Sequence, residues 1–283
     1  MPAPLDDQLT PRVHPERGRP LRAEVILVGN DLLRGRIADR NVRPIADAIT
    51  LLGGTVGRVT AVSHAIDCVA EALREALARN PHLVILCGGL GPGSNDRTVE
   101  AAAQVLAKPL SPSAAARKLI EQAYARMQRS RILDTGGLDR LREKPCNLPV
   151  GATPLANPAG VTPGVLCKLP GGSAVLCLPG RPEEMRAVLA NGLAELKELA
   201  QPHHVAQQEV ETPTADEASL RPLIERLSEE FPQVALHTRP VGSGRRGSKV
   251  LVVLEATAGS ESEAADRVDE ALRRLLAIVG GGG

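Results

Sequence analysis

Two hydrophobic periods alternate along the first two-thirds of the chain. Short apolar runs at residues 23–28, 55–62 and 82–87 read as strands, and between them apolar residues recur every three or four positions, as a helix requires. Residues 66–78 show this best, with Ile66, Val69, Ala70, Leu73 and Leu77 on one face. Helices are also predicted over 39–52, ended by Gly53-Gly54, over 99–107, and over 114–129, the last entered through Ser111-Pro-Ser as an N-cap region. Strands that alternate with helices imply right-handed crossovers and a mainly parallel sheet. Residues 130–153 show no period and read as irregular. Two short strands, 165–169 and 174–178, form an expected hairpin across Pro170-Gly171-Gly172, and a helix runs from Pro182 to about residue 199. Beyond a linker at residues 201–204, strands at 205–211, 234–238 and 249–256 and helices at 215–230 and 261–278 compose a β-α-β-β-α module.

The sheet's centre is expected at Leu83-Val-Ile-Leu-Cys87. Five residues without a polar side chain suit a parallel strand buried on both faces. Gly88, Gly89, Gly91 and Gly93 then free the following loop from Cβ crowding before a helix begins near Asp96 or Arg97. Backbone amides can approach a ligand closely there, and the positive end of the helix dipole favours a phosphate. Gly91 is expected at positive φ, facing that phosphate. Asp96 carries two readings: a partner for a divalent ion beside phosphates or, like Thr98, a helix cap. The Gly-Lys-Ser/Thr ending of a P-loop is missing, and Pro92, which has no amide to donate, degrades the dinucleotide fingerprint. A strand also empties into a turn at Gly29-Asn30-Asp31-Leu-Leu-Arg-Gly35, and again at Leu178-Pro-Gly180-Arg-Pro182-Glu183-Glu184. In the latter, Pro182 fits a first helical turn and the two glutamates fit its dipole without a ligand. Loops of this kind stand at the carboxyl edge of the sheet, where open α/β folds bind ligands.

Composition narrows the function. The length of 283 residues accommodates two domains: 22–200, binding a phosphate or nucleotide, and 205–279, small and α+β. A disordered leader is expected over 1–21, with prolines at 2, 4, 11, 15 and 20, and the closing glycines 280–283 and the 242–247 hairpin tip are expected to be mobile. A net charge of +1 from 34 basic and 33 acidic residues gives no reason to expect nucleic acid or an anionic membrane surface as partner. One Tyr, one Phe and no Trp argue further against base stacking. The five cysteines include no C-x-x-C pair, so neither a disulfide framework nor a zinc site is suggested, and Cys87 and Cys177 read as small core residues. No apolar stretch reaches membrane-spanning length and no signal peptide is evident, so a cytoplasmic protein is expected.

Together these pieces resemble the CinA-like proteins, whose amino-terminal part is a molybdopterin-binding-type domain shared with enzymes of molybdenum cofactor biosynthesis. Four stretches carry the resemblance, in family order across residues 22–200: Gly29-Asn-Asp-Leu-Leu-Arg-Gly35, Gly88-Gly-Leu-Gly-Pro-Gly-Ser-Asn-Asp96-Arg-Thr98, Asn157-Pro-Ala-Gly-Val-Thr-Pro-Gly164 and Leu178-Pro-Gly-Arg-Pro-Glu-Glu-Met185. The tail resembles the small domain that follows in these proteins. The amidase domain of longer members is not expected, nor is nicotinamide mononucleotide deamidation. The resemblance implies a three-layer α/β sandwich that binds a phosphorylated, ring-bearing small molecule at the carboxyl edge and assembles as a homo-oligomer. CinA-like members are associated with metal-dependent hydrolysis of ADP-ribose, and their molybdenum-pathway relatives bind or adenylylate molybdopterin. On that basis Asp96 and Asp31 are the expected catalytic acids and the holders of a divalent metal, magnesium or else manganese or cobalt. The expected ligand-binding residues are Gly29, Asn30, Gly88, Gly89, Gly91, Gly93, Ser94, Asn95, Thr98, Asn157, Gly160, Thr162 and Gly180.

Two departures bear on the chemistry. Where the family usually has Gly-Asp-Glu-Leu this chain has Gly29-Asn30-Asp31-Leu32, and where it has Pro-Thr-x-Asp-Asp it has Pro92-Gly93-Ser94-Asn95-Asp96. Two carboxylates have become amides, and Asp31 reaches about 1 Å less far than the usual glutamate, a shift that matters for catalytic geometry. Three functions stay open: a divalent-metal-dependent pyrophosphohydrolase acting on ADP-ribose or a related nucleotide, a module that binds molybdopterin or a nucleotide without hydrolysing it, and an interaction protein that keeps only the fold.

Overall fold

A computed structural model describes residues 21–129, 143–196, 204–212, 216–241 and 249–280. The leader up to residue 20, the linker up to residue 203, the 242–247 hairpin tip and the last three glycines lie outside the described residues. The chain divides into two compact units, Met1–Ile49 with Gly54–Gln201 and Thr50–Gly53 with Pro202–Gly283.

In the first unit the elements follow in the order β1 (Arg22–Val28), α1 (Asn30–Leu33), α2 (Val42–Leu51), β2 (Thr55–Val62), α3 (Ile66–Ala78), β3 (Leu83–Cys87), α4 (Thr98–Val105), β4 (Leu110–Pro112), α5 (Ala114–Arg129), β5 (Asn147–Pro149), β6 (Thr153–Leu155), β7 (Gly164–Lys168), β8 (Ala174–Leu178) and α6 (Pro182–Ala194). Six strands make one sheet in the order β2-β1-β3-β8-β7-β6. β2, β1, β3 and β8 run parallel, and β7 pairs antiparallel with both β8 and β6. The fold is thus α/β with a mainly parallel sheet. β3 lies inside the sheet with all five residues buried, as its unbroken apolar run requires.

Alternation along the strands divides the core between two faces. Ile26, Val28, Val84, Leu86, Val175 and Cys177 meet Val69, Ala70 and Leu73 of α3 and Ala101, Ala102 and Val105 of α4. On the other face a Cβ added to Gly192 of α6 would come within 3.0 Å of Leu176, so that helix lies directly on β8. Each buried Val, Leu or Ile side chain among these contributes about 1.5–3 kcal/mol. At the amino edge Glu24 of β1 accepts both a 2.8 Å bond from Nε and a 2.7 Å bond from Nη2 of Arg79, which follows α3.

Local chemistry sets the helix starts. Asp39 accepts from the amides of Asn41 (3.1 Å) and Val42 (3.0 Å) and so opens α2, while Ser113 Oγ accepts from Ala116 at the head of α5. The stretch read as irregular contains β5 and the start of β6, with β5 paired antiparallel to β4. Strands of three residues, each carrying a proline, are too short to show a period. α4 begins at Thr98, later than Asp96, for a reason that lies in the loop before it.

The second unit holds β9 (His204–Thr212), α7 (Glu217–Glu230), β10 (Val234–Val241), β11 (Lys249–Ala258) and α8 (Glu261–Gly280). Its antiparallel sheet has the order β10-β11-β9. Val250, Val252, Leu254 and Ala256 alternate inward and pack with Leu220 and Leu227 of α7 and Val268, Ala271 and Leu275 of α8. Asp216 caps α7 by accepting from Ala218 at 3.0 Å. Among the described residues no helix is long and apolar enough to cross a membrane.

Candidate functional site

Parallel strands deliver their following loops to one edge. The turns after β1, β2, β3 and β8 therefore emerge together, and the turn between β6 and β7 returns to the same edge because β6 runs parallel to β8. All four motif stretches meet there.

The glycine loop after β3 is held from both sides. Gly88 has φ +111° and Gly89 has φ +67°, a region that disfavours side chains. A Cβ on Gly88 would lie 2.3 Å from the Val28 carbonyl oxygen, and one on Gly89 would lie 2.4 Å from Thr98 Oγ1. The Gly88 amide donates to Leu178 O (2.9 Å), the buried Thr98 hydroxyl donates to Gly88 O (2.7 Å), and the Thr98 amide donates to Gly89 O (3.1 Å). Thr98 thus closes the loop and does not cap the helix.

Gly91 departs from expectation, since its φ is not positive; its constraint is the Asp96 carboxylate, 2.7 Å from where a Cβ would sit. Asp96 Oδ2 accepts from the Gly93 amide (3.0 Å), while the Asp96 amide returns a bond to Gly93 O (3.1 Å). The acid folds back over its own loop, which leaves Arg97 at the N-cap position of α4 with no side-chain cap bond. Gly93, Ser94 and Asn95 form the exposed tip. Among the described residues the amides of Gly89, Leu90 and Gly91 have no acceptor, although Gly89 and Leu90 are buried. Buried N–H groups are almost always paired, so this row of donors is suited to an anion.

Lys144 braces the loop from outside, donating to Gly93 O (2.7 Å) and Asp96 O (2.6 Å), with Glu100 Oε1 3.7 Å away. Glu100 also accepts from Arg97 Nε at 2.7 Å. Between this segment and the loop lies a cavity of about 290 Å³, lined in part by Leu90, Gly91, Asp96, Glu100 and Lys144. No motif pointed to Lys144.

The turn after β1 is tied to its neighbours. The Gly29 amide donates to Val62 O (3.0 Å), and Asn30 Oδ1 accepts from the His64 amide (3.2 Å). Asp31 is exposed and pairs with Arg36 at 3.4 Å. Asn41 donates to Gly180 O (2.8 Å), joining the turn after β1 to the one after β8, and a Cβ on Gly180 would lie 3.3 Å from Gly88 Cα. Cys87 stands beneath this junction, its thiol donating to Pro179 O at 3.4 Å. Burial, assisted by Asp39, pushes its pKa up to about 12, so it stays a thiol and packs. Among the described residues no group of three or more His, Cys, Asp or Glu is placed to hold a metal ion.

Asn157 is buried, and its side chain is engaged with the protein itself. Nδ2 donates to Glu184 Oε2 (2.7 Å) and Thr162 O (2.8 Å), and Oδ1 accepts from the Ala159 amide (3.2 Å). Gly160 fits beneath Glu184, whose Oε2 would lie 2.1 Å from an added Cβ. Asn157, Gly160 and Thr162 therefore pin the turn to the head of α6. Glu184, read from sequence as a complement to the helix dipole, is the anchor, and Arg181 Nε lies 3.4 Å from its other oxygen.

Residues 24–198 match a protein family described as a probable molybdopterin binding domain. A protein of Pyrobaculum calidifontis is 34% identical over 259 residues, covering 91% of this chain and 95% of its own length. One from Aeropyrum pernix is 36% identical over 264 residues, covering 92% of this chain and 95% of its own. The crystal structure of the CinA protein of Thermoplasma acidophilum superposes with a TM-score of 0.55 at 34% identity, covering 62% of this chain and 98% of that one.

Proposed function

The chain belongs to the molybdopterin-binding-domain family, and from that premise we propose that it binds a phosphorylated, ring-bearing small molecule, a molybdopterin or a nucleotide, at the carboxyl edge of its sheet. The observation that carries the reading is the row of unpaired amides at Gly89, Leu90 and Gly91, presented by a turn that only Gly88 and Gly89 can form. Such donors suit phosphate oxygens, which accept several N–H groups at once. Calorimetric titration with ADP-ribose and with a pterin phosphate, each with and without magnesium, tests it. Saturable binding of at least one is expected, and binding of neither overturns the reading.

Hydrolysis of ADP-ribose or a related nucleotide is the second reading, favoured by the Asp96 carboxylate on the wall of the cavity beside that loop. The donors present fit only an ion that arrives on the ligand. Asp96 gives one oxygen to Gly93 and Asp31 is paired with Arg36, so phosphate oxygens and water must complete the shell, as is usual for magnesium. A magnesium, manganese or cobalt ion so bound would supply charge to the phosphoryl oxygens. The chain's own part is to hold the phosphates on its amides and to keep Asp96 at the loop. Asp96→Asn retains an oxygen acceptor for Gly93, so the fold should hold while metal-dependent turnover and the magnesium-induced gain in ADP-ribose affinity both fall. Unchanged turnover in Asp96→Asn would remove Asp96 from the chemistry. Wild type inactive with all three metals, and inactive still with Asn30→Asp and Asn95→Asp combined, would leave the binding module. A homo-oligomer in the cytoplasm completes the proposal, and sedimentation velocity tests the assembly.

A further inference from the structure

We propose that the cavity beside the glycine loop seats the heterocycle of the phosphorylated ligand, and that the Asn147 carboxamide reads the ring's edge. The inference rests on the phosphate reading above. The cavity, about 290 Å³, reaches Leu90 and Gly91 of that loop, so a molecule whose phosphate meets the loop amides has this space within its own length. Leu90, Val99, Leu110 and Pro145 give it apolar walls, which suit the faces of a flat ring and disfavour a bare phosphate or a sugar.

Polar groups on the wall are mostly committed. Lys144 holds two loop carbonyls, Asp96 holds the Gly93 amide, and Glu100 accepts from Arg97. Asn147 is the exception: it lines the cavity and, among the described residues, its carboxamide has no hydrogen-bond partner. Its backbone is fixed, because Asn147 opens β5 and pairs with Pro112 of β4. A carboxamide presents an acceptor oxygen beside a donor NH2, the complement of a ring edge with adjacent donor and acceptor. Adenine offers such an edge, as does the amino-oxo pyrimidine ring shared by guanine and pterins. Asn147 therefore distinguishes a phosphorylated purine or pterin from a phosphorylated molecule without such an edge.

The test titrates the full chain with AMP, GMP and ribose 5-phosphate. Wild type should bind at least one nucleotide more tightly than ribose 5-phosphate. Asn147→Ala should weaken that nucleotide by about tenfold while leaving ribose 5-phosphate unchanged, the loss expected of one well-placed amide pair. A loss confined to AMP assigns adenine, and one confined to GMP assigns the amino-oxo ring. Leu110→Trp fills the cavity from a side chain already 40% exposed and should reduce the nucleotide to the affinity of ribose 5-phosphate. Thermal melts of both variants confirm the fold. The inference is overturned if Asn147→Ala binds nucleotides like wild type or weakens all three ligands equally. Wild type that binds ribose 5-phosphate as well as the nucleotides, or that binds none of the three yet takes ADP-ribose or a pterin phosphate, overturns the ring seat alone, whereas wild type that binds none of these ligands overturns the phosphate reading with it.

Discussion

Gly88→Ala should destabilise the first unit far more than Gly35→Ala, although both replace a glycine at positive φ in a loop that joins a sheet strand to the following helices. At Gly35 φ is +66° and nothing lies within 4 Å of an added Cβ, so only the left-handed conformation is penalised, about 1–2 kcal/mol. At Gly88 φ is +111°, outside the pocket that alanine tolerates, a strain of about 1–3 kcal/mol. The new Cβ also falls 2.3 Å from the Val28 carbonyl oxygen, and a backbone atom at the end of β1 cannot swing aside as a side chain would. The ends of β1 and β3 must separate, an overpacking cost of about 1–3 kcal/mol. That separation pulls on the 2.9 Å bond from the Gly88 amide to Leu178 O, worth about 1 kcal/mol. The total is roughly 3–7 kcal/mol, and for a unit of this size each kcal/mol lowers Tm by about 2–4 °C. Melting of the full chain followed by circular dichroism should show the Gly88→Ala transition about 6–28 °C below wild type, and the Gly35→Ala transition only about 2–8 °C below it. Equal Tm values for the two variants would refute the claim that a backbone clash, and not φ alone, makes glycine obligatory at Gly88.

Asn157→Ala removes the donor that Glu184 accepts and leaves a carboxylate that is only 13% exposed short of a partner, so a loss of about 2–3 kcal/mol in urea unfolding is expected, with no change if the carboxylate is free to turn to solvent. His82 Nδ1 accepts from the Arg22 amide at 2.9 Å, and burial, followed by the charge of Arg22, holds the imidazole pKa below its ordinary 6.5. The unfolded chain therefore takes up the proton first as pH falls, so the contribution of His82 is fully present above about pH 6.5 and is lost as pH falls through the lower folded pKa. Urea midpoints between pH 7 and pH 5 should fall less steeply in His82→Gln than in wild type, and parallel slopes would exclude the imidazole as the source.

Elements long enough to display a period were legible in the sequence. Thr55–Val62 and Ile66–Ala78 fall where their patterns placed them, because eight strand residues and thirteen helical ones sample the two-fold and 3.6-fold repeats several times. Leu110–Pro112, Asn147–Pro149 and Thr153–Leu155 do not, and Pro112, Pro149 and Pro154 read locally as breaks, so segments that form the cavity wall and the sheet edge looked structureless. That is why Asn147 and Lys144 went unseen.

Convergence of the motif stretches was legible for a different reason. Once strands alternate with crossover helices, every loop that leaves a parallel strand must emerge on the same edge, whatever its side chains do. Side-chain roles within those loops depend on partners that no local pattern announces. Asn157 finds Glu184 27 positions away, and Lys144 finds the Gly93 carbonyl 51 positions away. Asp96 is the instructive middle case. A short acid near a helix start suggests a cap or a metal ligand, but Asp side chains compete equally well for a nearby turn amide, and the glycine three residues earlier supplied one. With no Cβ at Gly91 or Gly93, the carboxylate can lie flat on its own loop; a side chain at either position would come within 2.8 Å of Asp96 Oδ2 and drive it outward. The glycines therefore do two jobs. Gly88 and Gly89 turn the amides outward, while Gly91 and Gly93 make room for the acid that stiffens the turn.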